Sequence, residues 1–245
     1  MTAVRFFAER PGAAHRLVLF PHAGGSASFY RSWAADRPDT EVMAVQYPGR
    51  GDRLAEPLVH DMAELVAEAA DDLGRLADGR PITVAGHSMG AVVAFETVRR
   101  LEAKGHRVRR LVASASRSPL DPDHVSALGT AWDDEAAVSS LAAMGQTDPE
   151  LLTDSRVRAF LLPYLRADFE LFQRYTYLPG PPLSCEVLAV HGDDDPHVPA
   201  ARGALWRDVT TGPFAHAVLP GGHFYFADRP PVELFLGEPE GSRAG

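Results

Sequence analysis

The most informative part of the chain is PITVAGHSMGAVVAFETVRRLEAKG, residues 81–105. Its first half is apolar and ends at a glycine, as buried strands do, and its second half predicts a helix that ends at Gly105. Between them lies Gly-x-Ser-x-Gly, in which Ser88 is flanked by Gly86 and Gly90. A strand-to-helix turn this tight admits only small residues two positions before and after the serine. We therefore expect Ser88 to stand above the edge of a sheet as a nucleophile; the alternative is a purely structural turn.

Similar apolar runs recur along the chain and alternate with amphipathic stretches. Strands are predicted within RLVLFPHAGG (16–25), VMAVQYPGRG (42–51), RRLVASAS (109–116), CEVLAVHG (185–192) and HAVLPGGH (216–223), and a helix capped by Asp61 within 61–77. This alternation indicates an α/β fold with a mostly parallel central sheet and helices on both faces. Because ligands of such sheets bind beyond the carboxyl ends of the strands, the chemistry is expected directly after each strand.

Residues 117–180 interrupt the alternation, because no clear strand occurs there. Helices are expected within 133–145 and 153–175, the second with a kink or break at Pro163. Its apolar face consists of Leu161, Leu165, Phe169 and Phe172. We expect this helical insertion, approximately 117–180, to lie over the strand ends as a lid whose apolar face lines a substrate chamber. The alternative is that the face only packs on the body.

Composition limits the classes of function. The chain has 245 residues, which we interpret as a single domain covering 1–245. Its net charge of −9 argues against binding nucleic acid or anionic membrane surfaces. The single cysteine, Cys185, excludes an internal disulfide and thiolate metal clusters. No stretch is apolar enough to span a bilayer or to form a signal peptide, so we expect a soluble cytoplasmic protein.

A serine hydroxyl becomes a nucleophile only when a base removes its proton, and in this architecture the chain order is serine, acid, histidine. His223, in LPGGHFYF, follows the last predicted strand and is the expected base. His216 stands at the start of that strand, the wrong end. His191 and His197 flank the candidate acids too closely to act as an independent base.

The candidate acids lie in HGDDDPHVP, residues 191–199. Asp195 precedes a proline, which favours an extended conformation that directs its side chain away from the turn. Asp193 and Asp194 are expected to cap their own backbone, although either remains an alternative acid. Asp121, after the strand at 109–116, is a less well placed candidate. The cluster also resembles a metal site, but no metal is expected because the serine already supplies a nucleophile.

The remaining requirement is a pair of backbone donors for an oxyanion. One is the N–H of Met89, at the start of the helix after Ser88. The other is expected in FPHAGGSASFY, residues 20–30, where small residues let the backbone approach a ligand. The N–H of Ala23 is the candidate, and His22 is expected to shape this loop by hydrogen bonding.

Six segments in this order resemble the type II thioesterases of polyketide and nonribosomal peptide assembly lines: FPHAGGSASFY, VQYPGRGDR, VAGHSMGA, LRADFELFQRYTY, HGDDDPHVP and GGHFYF. Gly-x-Ser-x-Gly and the late histidine are common to serine α/β-hydrolases, whereas PHAGG, QYPGR and LRADF are more selective. The resemblance extends from about residue 16 to about residue 226. One departure is the tail after GGHFYF, whose prolines leave room for a short helix at most.

The resemblance implies a monomeric α/β-hydrolase with a helical lid. It implies hydrolysis of acyl groups carried on the phosphopantetheine of acyl or peptidyl carrier proteins, with no cofactor besides that arm of the substrate. Ser88, Asp195 and His223 match the family's triad, and Ala23 and Met89 match its oxyanion donors. The alternatives are a small-molecule carboxylesterase or lipase, an acyltransferase with the same triad, and a binding module without activity.

Overall fold

The computed structural model describes residues 2–35, 37–124, 133–143, 150–227 and 229–237. Seven strands in these residues form one sheet: β1 Val4–Phe6, β2 His15–Phe20, β3 Thr40–Val45, β4 Ile82–His87, β5 Arg110–Ser114, β6 Glu186–Gly192 and β7 Phe214–Leu219. Their order is β1-β3-β2-β4-β5-β6-β7, and all neighbours are parallel except β1 and β3. The predicted mostly parallel α/β sheet is confirmed. Parts of the predicted insertion, including the end of the helix expected at 133–145, lie outside the described residues, as does the end of the predicted domain 1–245.

The edge strand β1 was not predicted from the sequence. It has three residues, and Val4 pairs with Val45 in an antiparallel register. Three residues are too few to show a periodicity of two, so the pairing depends on the neighbouring strand rather than on a local pattern.

The helices begin and end close to the predicted signals. They are α1 Met62–Leu76, α2 Met89–Ala103, α3 Asp134–Ala143, α4 Ser155–Arg174, α5 Ala200–Gly203 and α6 Val232–Leu236. Asp61 caps α1 as predicted, since its carboxylate accepts a hydrogen bond from the N–H of Ala63 at 2.7 Å. Gly105 follows α2 with φ 82°, a conformation that favours glycine. The short α6 agrees with the expected tail. None of the helices in the described residues is long and apolar enough to cross a membrane.

Two apolar cores cover the two faces of the sheet. Alternate residues of β2 belong to opposite cores: Val18 packs with α1 and α2, and Leu19 packs with a 3-10 helix at Ala27–Ala34 and with α6. Val18 and Leu19 are at most 1% exposed. Burial on both faces explains why the strands are continuously apolar rather than alternating.

The helix α4 continues through Pro163, so of the predicted kink or break the break does not occur. It is one helix of 20 residues with Pro163 inside it. Pro163 is exposed, whereas the next two residues, Tyr164 and Leu165, are buried. The missing hydrogen bond therefore falls on the solvent side, and packing of the opposite side holds the helix together.

The parallel strands bring their carboxyl ends to one edge of the sheet. Phe20 pairs with Gly86, His87 with Ser114, and Gly192 with Leu219. The segments that follow these strands therefore meet at the same edge. They are the loop at 21–27, the turn at Ser88, the aspartates at 193–195 and the turn at 220–223.

Candidate active site

The turn between β4 and α2 brings Ser88 to the carboxyl edge of the sheet. Ser88 has φ 55° and ψ −123°, a conformation that is rare for L-residues and costs about 1–3 kcal/mol. A Cβ on Gly86 would lie 2.0 Å from the carbonyl oxygen of Gly90, and one on Gly90 would lie 2.2 Å from that of Phe20. The turn therefore requires glycine at both positions, as the Gly-x-Ser-x-Gly pattern predicts. Ser88 is half-buried, whereas the residues on either side of it are buried.

The N–H of Met89 points out of the start of α2. As the first residue of that helix, Met89 has an N–H with no acceptor inside the helix, at the positive end of the helix dipole. The turn before it is fixed, because the N–H of Ser88 donates to the carbonyl of Ser114 at 2.8 Å. This arrangement suits an oxyanion donor.

His223 reaches the carboxylate of Asp195 across the ends of β6 and β7. His223 Nδ1 lies 2.9 Å from Asp195 Oδ2, and the two side chains are 7% and 0% exposed. The turns that carry them interlock, since a Cβ on Gly192 would lie 2.0 Å from the carbonyl oxygen of Gly221. The structure thus brings together the carboxylate and the imidazole that the sequence predicts as acid and base.

The three consecutive aspartates differ in their surroundings. Asp193 and Asp194 are exposed, and Asp195 is buried. The expectation that the first two cap their own backbone is wrong for Asp193, because its Oδ1 accepts from the N–H of Gly221 in the neighbouring turn at 2.8 Å. Asp195 makes the local turn itself, since its Oδ1 accepts from the N–H of His197 at 2.9 Å.

Both oxygens of Asp195 are therefore occupied by donors. Burial by itself would raise the pKa of Asp195, but the hydrogen bonds from His223 and from the backbone of His197 lower it on balance. The carboxylate stays charged at neutral pH and favours the tautomer of His223 that carries its proton on Nδ1. That tautomer leaves Nε2 as an acceptor. No hydrogen bond joins Ser88 to His223 in the described residues, and such contacts often tighten only when substrate binds.

The other histidines near the aspartates make different contacts. His191 Nε2 lies 3.0 Å from His216 Nε2, so these two form a pair between β6 and β7. The ring of His197 lies 5.3 Å from the ring of His223. Within the described residues, no group of three or more His, Cys, Asp or Glu side chains is arranged to hold a metal ion.

Asp121, the other candidate acid, is engaged by a different partner. Its side chain is fully buried, and its Oδ1 accepts from Arg202 at 2.6 Å. This ion pair directs the carboxylate to α5 and not to His223.

Two buried imidazoles lie near the predicted base. The ring of His22 packs edge-on against Phe29 and Phe224 at 5.2 and 4.8 Å, and that of His87 lies 5.0 Å from His223. The expectation that His22 shapes its loop by hydrogen bonding is wrong for its Nδ1, which is buried with no hydrogen-bond partner in the described residues. Burial lowers the pKa of His22 to about 3 and that of His87 well below its usual value, so both rings are neutral at pH 7.

The loop after β2 contacts the start of α2 directly. A Cβ on Gly90 would lie 2.4 Å from the carbonyl oxygen of Pro21, so only a glycine at this position lets the two backbones meet. Ala23 follows two residues later and is half-buried. None of the described residues accepts a hydrogen bond from the N–H of Ala23. Ala23 and Met89 therefore lie on touching segments, as a pair of oxyanion donors requires.

Arg50 and Asp168 are candidate functional residues to which sequence reasoning gave no role. Asp168 Oδ2 accepts from the N–H of Gly24 at 2.8 Å, and the Arg50 guanidinium binds the same carboxylate. Both residues lie in segments on which the resemblance to the type II thioesterases rests, QYPGR and LRADF. The available signal was the position of Asp168 on the apolar face of α4, three residues after Leu165 and four before Phe172.

The four predicted lid residues do not form one continuous surface. Leu161 and Leu165 pack in a small cluster with Ala23 of the loop at 21–27, which we call the oxyanion loop because it carries the predicted donor. Phe172 belongs instead to the main core between the sheet, α1 and α2, and Phe169 is half-buried. The helix α4 thus contacts the oxyanion loop near its middle and the main core near its end.

A cleft of about 1060 Å³ opens between α1, α2 and the segment 174–184. Its lining combines acidic and basic side chains, among them Glu96, Arg99 and Arg174. It includes none of the predicted site residues, so it lies apart from the site around Ser88.

The chain is similar to known thioesterases in sequence and in structure. The family model described as a thioesterase domain matches residues 15–235. Thioesterase PikA5 of Streptomyces venezuelae is 40% identical over 232 residues, which cover 92% of this chain and 80% of that protein. The solved type II thioesterase BorB, from the borrelidin biosynthetic cluster, is similar with a TM-score of 0.83 and 36% identity over 95% of each chain. YbtT, a type II thioesterase from the yersiniabactin NRPS/PKS pathway, is similar with a TM-score of 0.79 and 30% identity over 92% of each chain.

Proposed function

Because the chain belongs to the thioesterase-domain family, we propose that it hydrolyses acyl thioesters held on the phosphopantetheine arm of acyl or peptidyl carrier proteins. The biosynthetic context of the similar structures supports release or editing of carrier-bound chains as its role. The observation that carries the mechanism is the buried contact between His223 and Asp195 at the edge where Ser88 stands.

In the first half of the proposed reaction, the Ser88 hydroxyl attacks the thioester carbonyl. His223 Nε2 takes the hydroxyl proton, while the charged Asp195 holds the other ring nitrogen and stabilises the imidazolium. The carbonyl oxygen becomes an oxyanion that accepts hydrogen bonds from the N–H groups of Ala23 and Met89. Each such donor is worth about 10²–10³ in rate. Collapse of the intermediate breaks the carbon–sulfur bond, and His223 returns the proton to the leaving thiol.

In the second half, water attacks the acyl group on Ser88. His223 takes a proton from that water, the same backbone donors bind the second oxyanion, and the ester bond to Ser88 breaks. The carboxylic acid leaves and Ser88 regains its proton. These steps require only protein groups and water, and phosphopantetheine enters as part of the substrate.

The lid over the site is part of the proposal. Contact between Leu165 and the oxyanion loop supports a role of α4 as one wall of the acyl chamber: Leu165 Cδ1 lies only 2.9 Å from where a Cβ on Gly24 would be. Leu161 and Phe169 extend this wall. Residues 133–143 and 150–177 then provide the cover under which the acyl chain lies.

The chain is further proposed to act as a monomer in the cytoplasm. Its one cysteine, Cys185, is buried and unpaired, which suits a reducing compartment.

The experiment that tests the proposal compares three substrates that carry the same octanoyl group. They are the thioester of a phosphopantetheinylated carrier protein, the thioester of N-acetylcysteamine and the ethyl ester, and the rate of hydrolysis is measured for each. We expect the highest kcat/KM for the carrier-bound thioester. A higher value for the ethyl ester would make the protein a carboxylesterase. Transfer of octanoyl to an added alcohol or amine in place of hydrolysis would make it an acyltransferase.

A further inference from the structure

An ion pair buried beside the predicted oxyanion loop joins two distant parts of the chain. Arg50 lies in the turn after β3, and Asp168 lies in α4, 118 residues later. One guanidinium nitrogen lies 2.6 Å from Asp168 Oδ1 and the other binds Oδ2. The two side chains are 5% and 2% exposed. Burying a charge pair often adds little stability compared with apolar residues, so its presence here calls for another role.

Each member of the pair also holds the backbone of the oxyanion loop. Asp168 Oδ2 accepts from the N–H of Gly24 at 2.8 Å, and Arg50 donates to the carbonyl of Gly25 at 3.3 Å. Both contacts fall immediately after Ala23. They restrain Gly24 and Gly25, the two residues that follow the predicted oxyanion donor Ala23.

The turn that carries Arg50 holds the same loop at its ends. The Tyr47 hydroxyl donates to the carbonyl of Pro21 at 3.1 Å, and Gln46 Oε1 accepts from the N–H of Ala27 at 3.1 Å. The loop is therefore fixed before and after Ala23, whose N–H takes part in none of these hydrogen bonds.

Aromatic rings enclose the ion pair. The guanidinium of Arg50 lies 4.9 Å from the ring of Tyr164 and 5.5 Å from that of Tyr47. Burial alone would lower the pKa of Arg50, but the charge and hydrogen bonds of Asp168 raise it on balance. The Arg50 guanidinium therefore stays charged, and removal of the Asp168 carboxylate would leave that charge buried and uncompensated.

We propose that Asp168 and Arg50 are positioning residues that hold the N–H of Ala23 in the oxyanion hole and tie the lid helix α4 to that loop. This inference rests on the proposed function, because it assumes that Ala23 binds the oxyanion formed on Ser88. An oxyanion donor is effective only when it is held in place before the reaction, and a displacement of about 1 Å costs about 10²-fold in rate.

The test uses two substitutions of Asp168 and a matched control. Asp168→Asn keeps the shape and one carbonyl acceptor, whereas Asp168→Ala removes the acceptor of the Gly24 N–H altogether. The control is Glu41→Gln, which breaks the buried ion pair of Arg16 and Glu41 at the amino ends of β2 and β3. In this pair Arg16 Nε lies 2.9 Å from Glu41 Oε2. All four proteins are assayed with octanoyl-N-acetylcysteamine, and hydrogen exchange is measured on a peptide covering residues 20–29.

For Asp168→Ala we expect kcat to fall about 10²-fold with KM changed less than about threefold, together with at least about tenfold faster exchange in the loop. Asp168→Asn should show a smaller fall in kcat, and Glu41→Gln should lower the melting temperature without changing kcat. Wild-type kcat and unchanged loop exchange in Asp168→Ala would overturn the inference and leave a purely structural ion pair. A wild-type enzyme that is inactive toward the octanoyl-carrier protein as well would overturn the proposed function instead, and the exchange measurement would still decide whether the pair holds the loop.

Discussion

His223 Nδ1 and Asp195 Oδ2 lie 2.9 Å apart although the two residues are separated by 28 positions in the chain. The contact is made by two turns at the ends of neighbouring parallel strands, and both side chains are almost fully withdrawn from solvent. Because a charged carboxylate in this place fixes the tautomer of the imidazole, the pair has the arrangement that a base for Ser88 requires.

Asp195→Asn should reduce kcat by about 10⁴-fold, since the amide favours the wrong tautomer of His223. Asp193→Asn and Asp194→Asn are the matched controls, because both side chains are exposed. They should keep kcat within about threefold of wild type. Steady-state hydrolysis of octanoyl-N-acetylcysteamine measures all three. A large loss in Asp194→Asn with an active Asp195→Asn would show that the neighbouring carboxylate is the acid.

The buried His22 should make the protein less stable in acid. Its folded pKa of about 3 lies below the ordinary value of 6.5, so between these values the unfolded chain binds one more proton than the folded chain. The stability that the neutral ring provides is complete above pH 6.5 and is lost as the pH falls, at up to about 1.4 kcal/mol per pH unit.

Urea unfolding at pH 7.5 and pH 5 measures this dependence. His22→Gln should lose less free energy of unfolding between the two pH values than wild type does. His60→Gln removes a histidine whose side chain is 51% exposed and should lose as much free energy of unfolding between the two pH values as wild type does. An equal loss in wild type and in His22→Gln would contradict the interpretation of His22 as a buried neutral ring.

Gly90→Ala should prevent the turn at Ser88 from forming. The added Cβ would lie 2.2 Å from the carbonyl oxygen of Phe20 and 2.4 Å from that of Pro21, and backbone atoms have no room to move aside. We expect a loss of about 3 kcal/mol or more in the free energy of unfolding, together with loss of activity. Gly12→Ala, which meets nothing within 4 Å, is the control and should change stability by less than about 1 kcal/mol. Thermal melting and thioester hydrolysis give both readouts, and a stable, active Gly90→Ala enzyme would refute the tight turn.

Two phenylalanines of α4 should respond differently to truncation. Phe169 is half-buried on the proposed chamber wall, so Phe169→Ala should change the ratio of kcat/KM between hexanoyl and dodecanoyl thioesters by about tenfold. Phe172 is in the main core, so Phe172→Ala should cost about 3–5 kcal/mol of stability and leave that ratio unchanged. An unchanged ratio with reduced stability in Phe169→Ala would favour simple packing of this helix on the body.

The sequence predicts those parts of the molecule that depend on local pattern. The strand before Ser88, the glycines around it and the cap at Asp61 each follow from a few neighbouring residues. The preference for Asp195 over its neighbours rests on the following proline, and the structure gives that residue the contact to His223.

The features that the sequence does not predict depend on tertiary contacts. The short β1 exists because β3 offers it an edge, and α4 continues through Pro163 because its opposite side is packed. Arg50 and Asp168 pair across 118 residues, and no local periodicity links an arginine in a turn to an acid on a distant helix. The apolar face of α4 is also divided by tertiary contacts. Leu165 packs near the oxyanion loop and Phe172 packs in the main core, although both lie on the same face of the helix.

The central claim, that Ser88 releases acyl chains from a carrier, is tested most directly by intact-mass measurement of an octanoyl-carrier protein. The carrier is incubated with wild-type enzyme or with Ser88→Ala, whose fold is checked by circular dichroism and melting temperature. We predict that the wild-type enzyme converts the carrier to the free phosphopantetheine form, lighter by the mass of the acyl group, and that Ser88→Ala leaves the acylated mass unchanged. Loss of the acyl group at the wild-type rate in the presence of folded Ser88→Ala would contradict the account.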